Sequence, residues 1–98
     1  MTNLFVFAEI RPKAAHYEDA RAAIKGITEV TRRESGCLQF DLFEGNGEAS
    51  GCLYLLESWA DEAALQAHHE QAYTKNVFEH YKKWLADDVQ LVRMRASG

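Results

Sequence analysis

The apolar residues of this chain switch between two periods, and the order of those switches constrains the fold more than any other feature. Alternation with a period of two is typical of strands, and helical spacing fills the intervals between them. The predicted strands cover residues 4–11, 37–44, 52–59 and 87–95. The predicted helices cover residues 13–34, 61–70 and, after a break near residues 71–74, 77–85. The predicted order is therefore β-α-β-β-α(α)-β.

This order predicts a ferredoxin-like, split βαβ fold of the α+β class, in a single domain over residues 1–98. One hairpin, around residues 45–51, and two helical crossovers give a four-stranded antiparallel sheet with its helices on one face. A chain of this length supports one core. The other face of the sheet keeps apolar residues from several strands, and such patches typically mark association surfaces. We therefore expect a homodimer in which two sheets face each other.

Composition narrows the possible partners. A net charge of −4 and a pI near 5.5 argue against nucleic acid, which calls for a clustered basic surface. No apolar window is long enough to span a bilayer. The first residues do not combine a basic region with an apolar run, as a signal peptide would. We therefore expect a cytoplasmic protein.

The two cysteines are predicted to be reduced. If Cys52 lies opposite Phe43 at one end of the hairpin, Cys37 lies opposite Ser58 at the other end. The Cα atoms of the two cysteines are then further apart than the roughly 7 Å that a disulfide tolerates. Neither cysteine has an activating residue next to it in sequence, so we expect small buried thiols.

The segment over residues 54–69 carries the best indication of function. A strand ends at Trp59, Asp61 caps the following helix, and His68 shares the face of that helix with Leu65 and Ala64. Two ring side chains, one able to exchange protons near neutral pH, are thereby directed under the sheet. This arrangement predicts a small pocket between the sheet and the helices.

Two short motifs resemble a known family. ESGCLQFDL over residues 34–42 and LESWADEAAL over residues 56–65, with His68 following, are similar to the antibiotic biosynthesis monooxygenase (ABM) family. The resemblance extends over residues 4–92. It implies a dimeric α+β barrel with one pocket in each protomer. It also implies oxidation of a small phenolic or quinol-type aromatic by O2, with no metal, flavin or haem as cofactor.

The resemblance assigns candidate roles to individual residues. Trp59 would stack on a planar substrate or donate its indole N–H, although a core tryptophan is the alternative. His68 would act as general base or hydrogen-bond donor, the alternative being a buried histidine bonded to backbone. Tyr73 stands where some relatives carry a second histidine and would donate to a substrate oxygen. Phe40 and Phe78 would form dry, flat walls.

The other histidines, His16, His69 and His80, are expected at the surface, and their spacing does not suggest a metal site. Haem-degrading relatives carry an asparagine within the first strand, which here holds one only at its edge, Asn3. Haem breakdown is therefore not favoured. Two further functions stay open: a non-catalytic small-molecule-binding dimeric module, and an isomerase of a small metabolite using the same pocket. An open cavity would favour an enzyme, and a filled one would favour the binding module.

Overall fold

The computed structural model describes residues 3–98, which form a four-stranded antiparallel sheet with three α-helices. The elements are β1 (Leu4–Ile10), α1 (Tyr17–Arg32), β2 (Cys37–Glu44), β3 (Leu53–Trp59), α2 (Glu62–Glu70), α3 (Ala72–Trp84) and β4 (Gln90–Met94). The strand order is β2-β3-β1-β4, with antiparallel pairing throughout. The predicted α+β, ferredoxin-like fold is confirmed.

The core lies between the sheet and the helices. Along β1, Val6, Ala8 and Ile10 are buried, while the residues between them are only partly covered. Ala20 and Ile24 of α1 complete this layer at no more than 1% exposure. Because side chains alternate along a strand, one set of β1 residues lies under the helices and the other set lies on the opposite face.

The opposite face of the sheet is apolar at its centre, and none of the helices within residues 3–98 covers it. Phe7 of β1 stacks on Tyr54 of β3, with ring centroids 5.6 Å apart. On the outer strands, Phe43 and Val92 are 53% and 49% exposed. Val92 pairs with Phe7 and therefore lies on this face, whereas Leu91 pairs with Ala8 and lies on the face that the helices cover.

The first helix begins later than predicted. Pro12 is not in a first helical turn but bridges to Leu85, beside a hydrogen bond from Lys13 N–H to Trp84 O of 2.8 Å. Ala86 N–H donates to Arg11 O on the other side of this bridge, also at 2.8 Å. The chain is thereby held extended against the end of α3. A short 3₁₀ turn, Ala14–His16, follows before α1 starts.

The junction between α2 and α3 is shorter than predicted. Asp61 caps α2 as expected, accepting a hydrogen bond from Ala64 N–H at 2.8 Å. Only Gln71 leaves the helical conformation, and its carbonyl accepts a bond from Lys75 N–H at 2.9 Å. Residues 72–74 therefore belong to the first turn of α3 and not to a loop.

The hairpin register differs from the predicted one by two residues. Phe43 pairs with Tyr54, not with Cys52, because the connection contains a 3₁₀ turn and extends through Cys52. At the other end, a bulge next to Cys37 brings that residue opposite Trp59. Beyond this bulge, the shift of two keeps the side chains of the hairpin on their predicted faces. Both cysteines are free, as predicted.

Gly36 allows α2 to approach the turn that follows α1. Its φ is +89°, and a Cβ at this position would lie 2.6 Å from the Cβ of Ala64. Its carbonyl accepts a bond from Ala60 N–H at 2.8 Å. The requirement for glycine is therefore both conformational and steric. This close approach brings the turn over residues 33–36 against the helix that carries His68.

Candidate active site

A cavity of about 480 Å³ lies between the sheet and the helices. All four strands, all three helices and the loop before β4 contribute to its wall, and most of the side chains are apolar. The residues that matter for its chemistry are Phe40, Glu57, His68, His69, Phe78, Tyr81 and Arg93. A volume of this size suits a compact ligand of one or two rings.

His68 is the central polar group of this wall. Only 4% of the residue is exposed, and its Nδ1 lies 2.9 Å from Oε2 of Glu34. A carboxylate can only accept, so Nδ1 carries the hydrogen and Nε2 is the basic nitrogen of the neutral ring. Phe40 contacts the imidazole edge-on, with ring centroids 5.6 Å apart. The ring is therefore fixed in both tautomer and orientation.

Glu34 lies in the turn after α1 and receives two donors at the same oxygen. Besides His68, the hydroxyl of Tyr73 donates to Oε2 at 2.5 Å. Burial, followed by this hydrogen bond, raises the pKa of Tyr73 to about 12, so the phenol stays a donor at neutral pH. The Glu34 side chain is 9% exposed, and these bonds offset the cost of burying its charge.

Trp59 connects two groups of the site without reaching the cavity. It is fully buried, and its ring lies against His68 with centroids 4.8 Å apart. Its Nε1–H donates to Oε1 of Glu57 at 3.0 Å. The indole therefore supports the imidazole from behind and holds a carboxyl group at the same time.

Glu57 is the functional candidate that the sequence analysis did not single out. It is 6% exposed and faces the cavity from β3. Burial raises its pKa, and the Trp59 hydrogen bond opposes that shift. The signal was present in the alternation of β3, because residue 57 falls on the same face as Leu53 and Leu55. A charged residue on a core face is unusual enough to mark a site.

The structure separates the predicted site residues into two layers. His68, Phe40 and Phe78 lie on the cavity wall, as expected. Trp59 and Tyr73 lie behind it, where they contact His68 and Glu34. Direct contact of their side chains with a ligand in this cavity is therefore not supported, because the wall stands between them.

The surface assignment of His69 is wrong, whereas that of His80 is confirmed. Because α3 starts directly after α2, Phe78 packs edge-on against His69, with centroids 5.7 Å apart, and both line the cavity. Burial, followed by the nearby charge of His68, lowers the pKa of His69. His80 is exposed and stacks on Trp84. His16 is partly exposed and pairs with Asp19 at 2.9 Å.

The cavity opens beside the edge strand β4. Every residue of this strand is exposed, including Leu91 and Arg93, which face the cavity. Arg93 Nη1 bonds both carboxylate oxygens of Glu62, at 2.5 and 2.6 Å. This ion pair attaches the edge strand to the start of α2 and borders the opening.

Residues 3–98 contain neither a metal-binding cluster nor a membrane-spanning helix. No group of three histidine, cysteine or carboxylate side chains there is arranged to hold a metal ion. None of the helices in this range is both long and apolar enough to cross a membrane.

Fold and cavity together define a ferredoxin-like protein with a histidine–carboxylate pair at an apolar pocket. The family model described as "Antibiotic biosynthesis monooxygenase" matches residues 3–87. The Bacillus subtilis (strain 168) protein "Putative monooxygenase YcnE" is 32% identical over 90 residues, which are 92% of this chain and 94% of that protein. The chain therefore belongs to the ABM family, as the resemblance of its motifs predicted.

Solved structures agree on the fold. The crystal structure of PA3566 from Pseudomonas aeruginosa has a TM-score of 0.92 at 24% identity, and covers 100% of this chain and 97% of that chain. A crystal structure described as an antibiotic biosynthesis monooxygenase has a TM-score of 0.88 at 26% identity, with coverages of 97% and 99%. The whole architecture is thus shared with these proteins.

The support that Tyr73 gives to Glu34 can be measured. Tyr73→Phe removes a donor to a buried carboxylate and should lower the free energy of unfolding by about 1.5–3 kcal/mol. The matched control is Tyr17→Phe, which removes a 2.7 Å bond to Glu44, a side chain that is 50% exposed. Water replaces that bond, so the control should lose less than about 1 kcal/mol. Urea unfolding at pH 7 gives both values, and equal losses would contradict the assignment.

Proposed function

We propose that the protein is a cofactor-independent monooxygenase that oxidises a small phenolic or quinol-type aromatic with O2. The observation that carries the proposal is the position of His68. A histidine whose Nδ1–H is bonded to a buried carboxylate lines a mostly apolar cavity, which leaves its other nitrogen, Nε2, to accept a proton. Membership of the ABM family and the similarity to a protein named as a monooxygenase support the same reaction class.

The cavity wall suits a neutral aromatic ring. Phe40 and Phe78 supply flat apolar surface, and aliphatic side chains from β1 and α1 complete it. Rings of this kind bind planar ligands through dispersion and the hydrophobic effect. A ligand with one hydroxyl directed at His68 would satisfy the polar group there without burying a further charge.

The reaction begins with removal of the phenolic proton. A phenolate gives up an electron to O2 far more readily than a neutral phenol does, so the base sets the rate of the oxidation. His68 Nε2 accepts this proton, and Glu34 stabilises the imidazolium that forms, as a carboxylate does in other histidine–acid pairs. Lowering the pKa of the phenol by one unit corresponds to about 1.4 kcal/mol, so one hydrogen bond to the phenolate in an apolar site favours deprotonation substantially.

The alternatives are less well supported. A non-catalytic binding module would favour a filled pocket and a histidine bonded to backbone, whereas here the cavity is open and His68 bonds a carboxylate. An isomerase could use the same pocket and the same base, but it would turn over its substrate without consuming O2. Oxygen uptake therefore separates the oxygenase from both alternatives.

The role of His68 is tested by substitution. His68→Ala should abolish oxygen uptake with menadiol or 1-naphthol, because no group then accepts the phenolic proton. We expect a loss of at least about 100-fold in kcat/KM, the usual contribution of a general base. The control is His80→Ala, which removes an exposed histidine and should leave turnover unchanged. Uptake by folded His68→Ala at the wild-type rate would contradict the proposal.

We also propose that two copies associate through the uncovered sheet face. Its centre, on β1 and β3, is formed by Phe5, Phe7, Tyr54 and Leu56, and exposed apolar side chains continue onto the outer strands at Phe43 and Val92. A continuous exposed apolar surface of this kind is typical of a protein interface. The dimeric barrel implied by the family makes a second copy of this chain the expected partner.

Adjacent residues of β4 provide a matched test of this interface. Val92→Lys places a charge on the apolar face, and Leu91→Lys places the same charge on the cavity-facing side of the same strand. Analytical ultracentrifugation should give the dimer mass for wild type and Leu91→Lys, and the monomer mass for Val92→Lys. A monomeric wild type, or a dimeric Val92→Lys, would contradict the arrangement.

A further inference from the structure

Glu57 is a second ionisable group on the cavity wall, and the role proposed for His68 leaves it unused. Trp59 N–H donates to its Oε1, which leaves Oε2 for a ligand. Burying a carboxyl group costs free energy, so the position of Glu57 on the core face of a central strand suggests a functional role. The same indole lies against His68, so one rigid side chain positions both groups.

The surroundings of Glu57 favour retention of its proton. A positive charge on His68 of α2 would lower the pKa of Glu57, while the negative charge of Glu34 raises it. Tyr81 on α3 and Cys37 on β2 also respond to the charge of Glu57, and both are uncharged at neutral pH. Loss of solvent outweighs the hydrogen bond from Trp59, and the pKa of Glu57 is raised.

We propose that Glu57 is a second acid–base residue of the cavity, which protonates the peroxide formed on the substrate and then removes the hydrogen of the same ring carbon. The inference rests on the proposed monooxygenase function and deepens it. It requires a phenol with a hydrogen on the carbon ortho or para to the hydroxyl, because that hydrogen must leave. The substrate class is thereby narrowed to phenols that yield quinones.

Every proton that His68 and Glu57 exchange during the reaction is accounted for. His68 takes the phenolic proton, and the phenolate carbon forms a C–O bond with O2 to give a peroxide anion. Glu57 protonates this anion, and its carboxylate then removes the ring hydrogen while the O–O bond breaks. The leaving hydroxide takes the proton from His68 and departs as water. For 1-naphthol the sum is C10H8O + O2 → C10H6O2 + H2O, and both residues return to their starting states.

The decisive variant is Glu57→Gln, whose amide oxygen can still accept the Trp59 bond but cannot exchange a proton. With 1-naphthol, the rate of 1,4-naphthoquinone formation should fall by about 100-fold or more. Anaerobic binding, followed through naphtholate absorbance, should stay within about threefold of wild type, because His68 performs that step. Glu57→Asp keeps a carboxyl group and should recover part of the rate. Glu48→Gln, at an exposed glutamate, should match wild type.

The pH dependence distinguishes chemistry from support of the fold. Wild-type kcat should fall at high pH as Glu57 loses its proton, and this limb should be absent in the residual activity of Glu57→Gln. A glutamine variant with the wild-type rate and the same profile would overturn the inference alone. Equal loss of rate and of anaerobic binding would show that Glu57 has only a structural role, which would also overturn the inference. Absence of oxygen uptake by wild type with 1-naphthol and menadiol would instead overturn the proposed function and, with it, this inference.

Unfolding measurements supply a readout that needs no substrate. The folded pKa of Glu57 lies above its ordinary value of 4.5. The stability that it confers is therefore complete below pH 4.5 and is lost as the pH rises through the folded pKa. Relative to Glu57→Gln, wild type should become less stable as the pH rises from 4 to 8. Parallel curves would mean that burial does not hold this proton, which would overturn the inference.

Discussion

The contact between Trp59 and its two neighbours is the interaction on which the candidate site depends. The indole is fully buried at the end of β3, where it cannot shift without opening the core. Its face supports the imidazole of His68, and its N–H holds the carboxyl group of Glu57. A residue that never reaches the cavity thus determines where two of its polar groups stand. Its place in the site is that of a positioning residue.

The site accommodates two carboxyl groups near one apolar cavity in different ways. Glu34 receives donors from His68 and Tyr73, which stabilise its charge behind the wall. Glu57 faces the cavity with one donor, and burial favours its neutral form. The proposed mechanism uses this difference, with His68 as the base and Glu57 as the acid of one cavity.

Much of the fold followed from periodicity, because alternation and helical spacing are local properties of the sequence. The cap at Asp61 and the face of His68 could be predicted on the same grounds. The partner of His68 could not, because Glu34 is 34 residues away in an irregular turn that only tertiary packing brings close. Tyr73 was assigned to a loop at the pocket, and the early start of α3 carried it behind the wall. Glu57 could be recognised in the sequence as an ionisable residue on a core face, but its position on the cavity wall is seen only in the structure.

The fate of labelled oxygen tests monooxygenation in this cavity most directly. Metal-free protein, prepared with a chelator, is mixed with 1-naphthol under ¹⁸O2, and the quinone is analysed by mass spectrometry. Monooxygenation predicts one ¹⁸O atom in each quinone, with the second atom released as water and no hydrogen peroxide formed. Quinone without the label, or hydrogen peroxide equal to the oxygen consumed, would show that O2 only accepts electrons here. That result would contradict monooxygenation in this cavity.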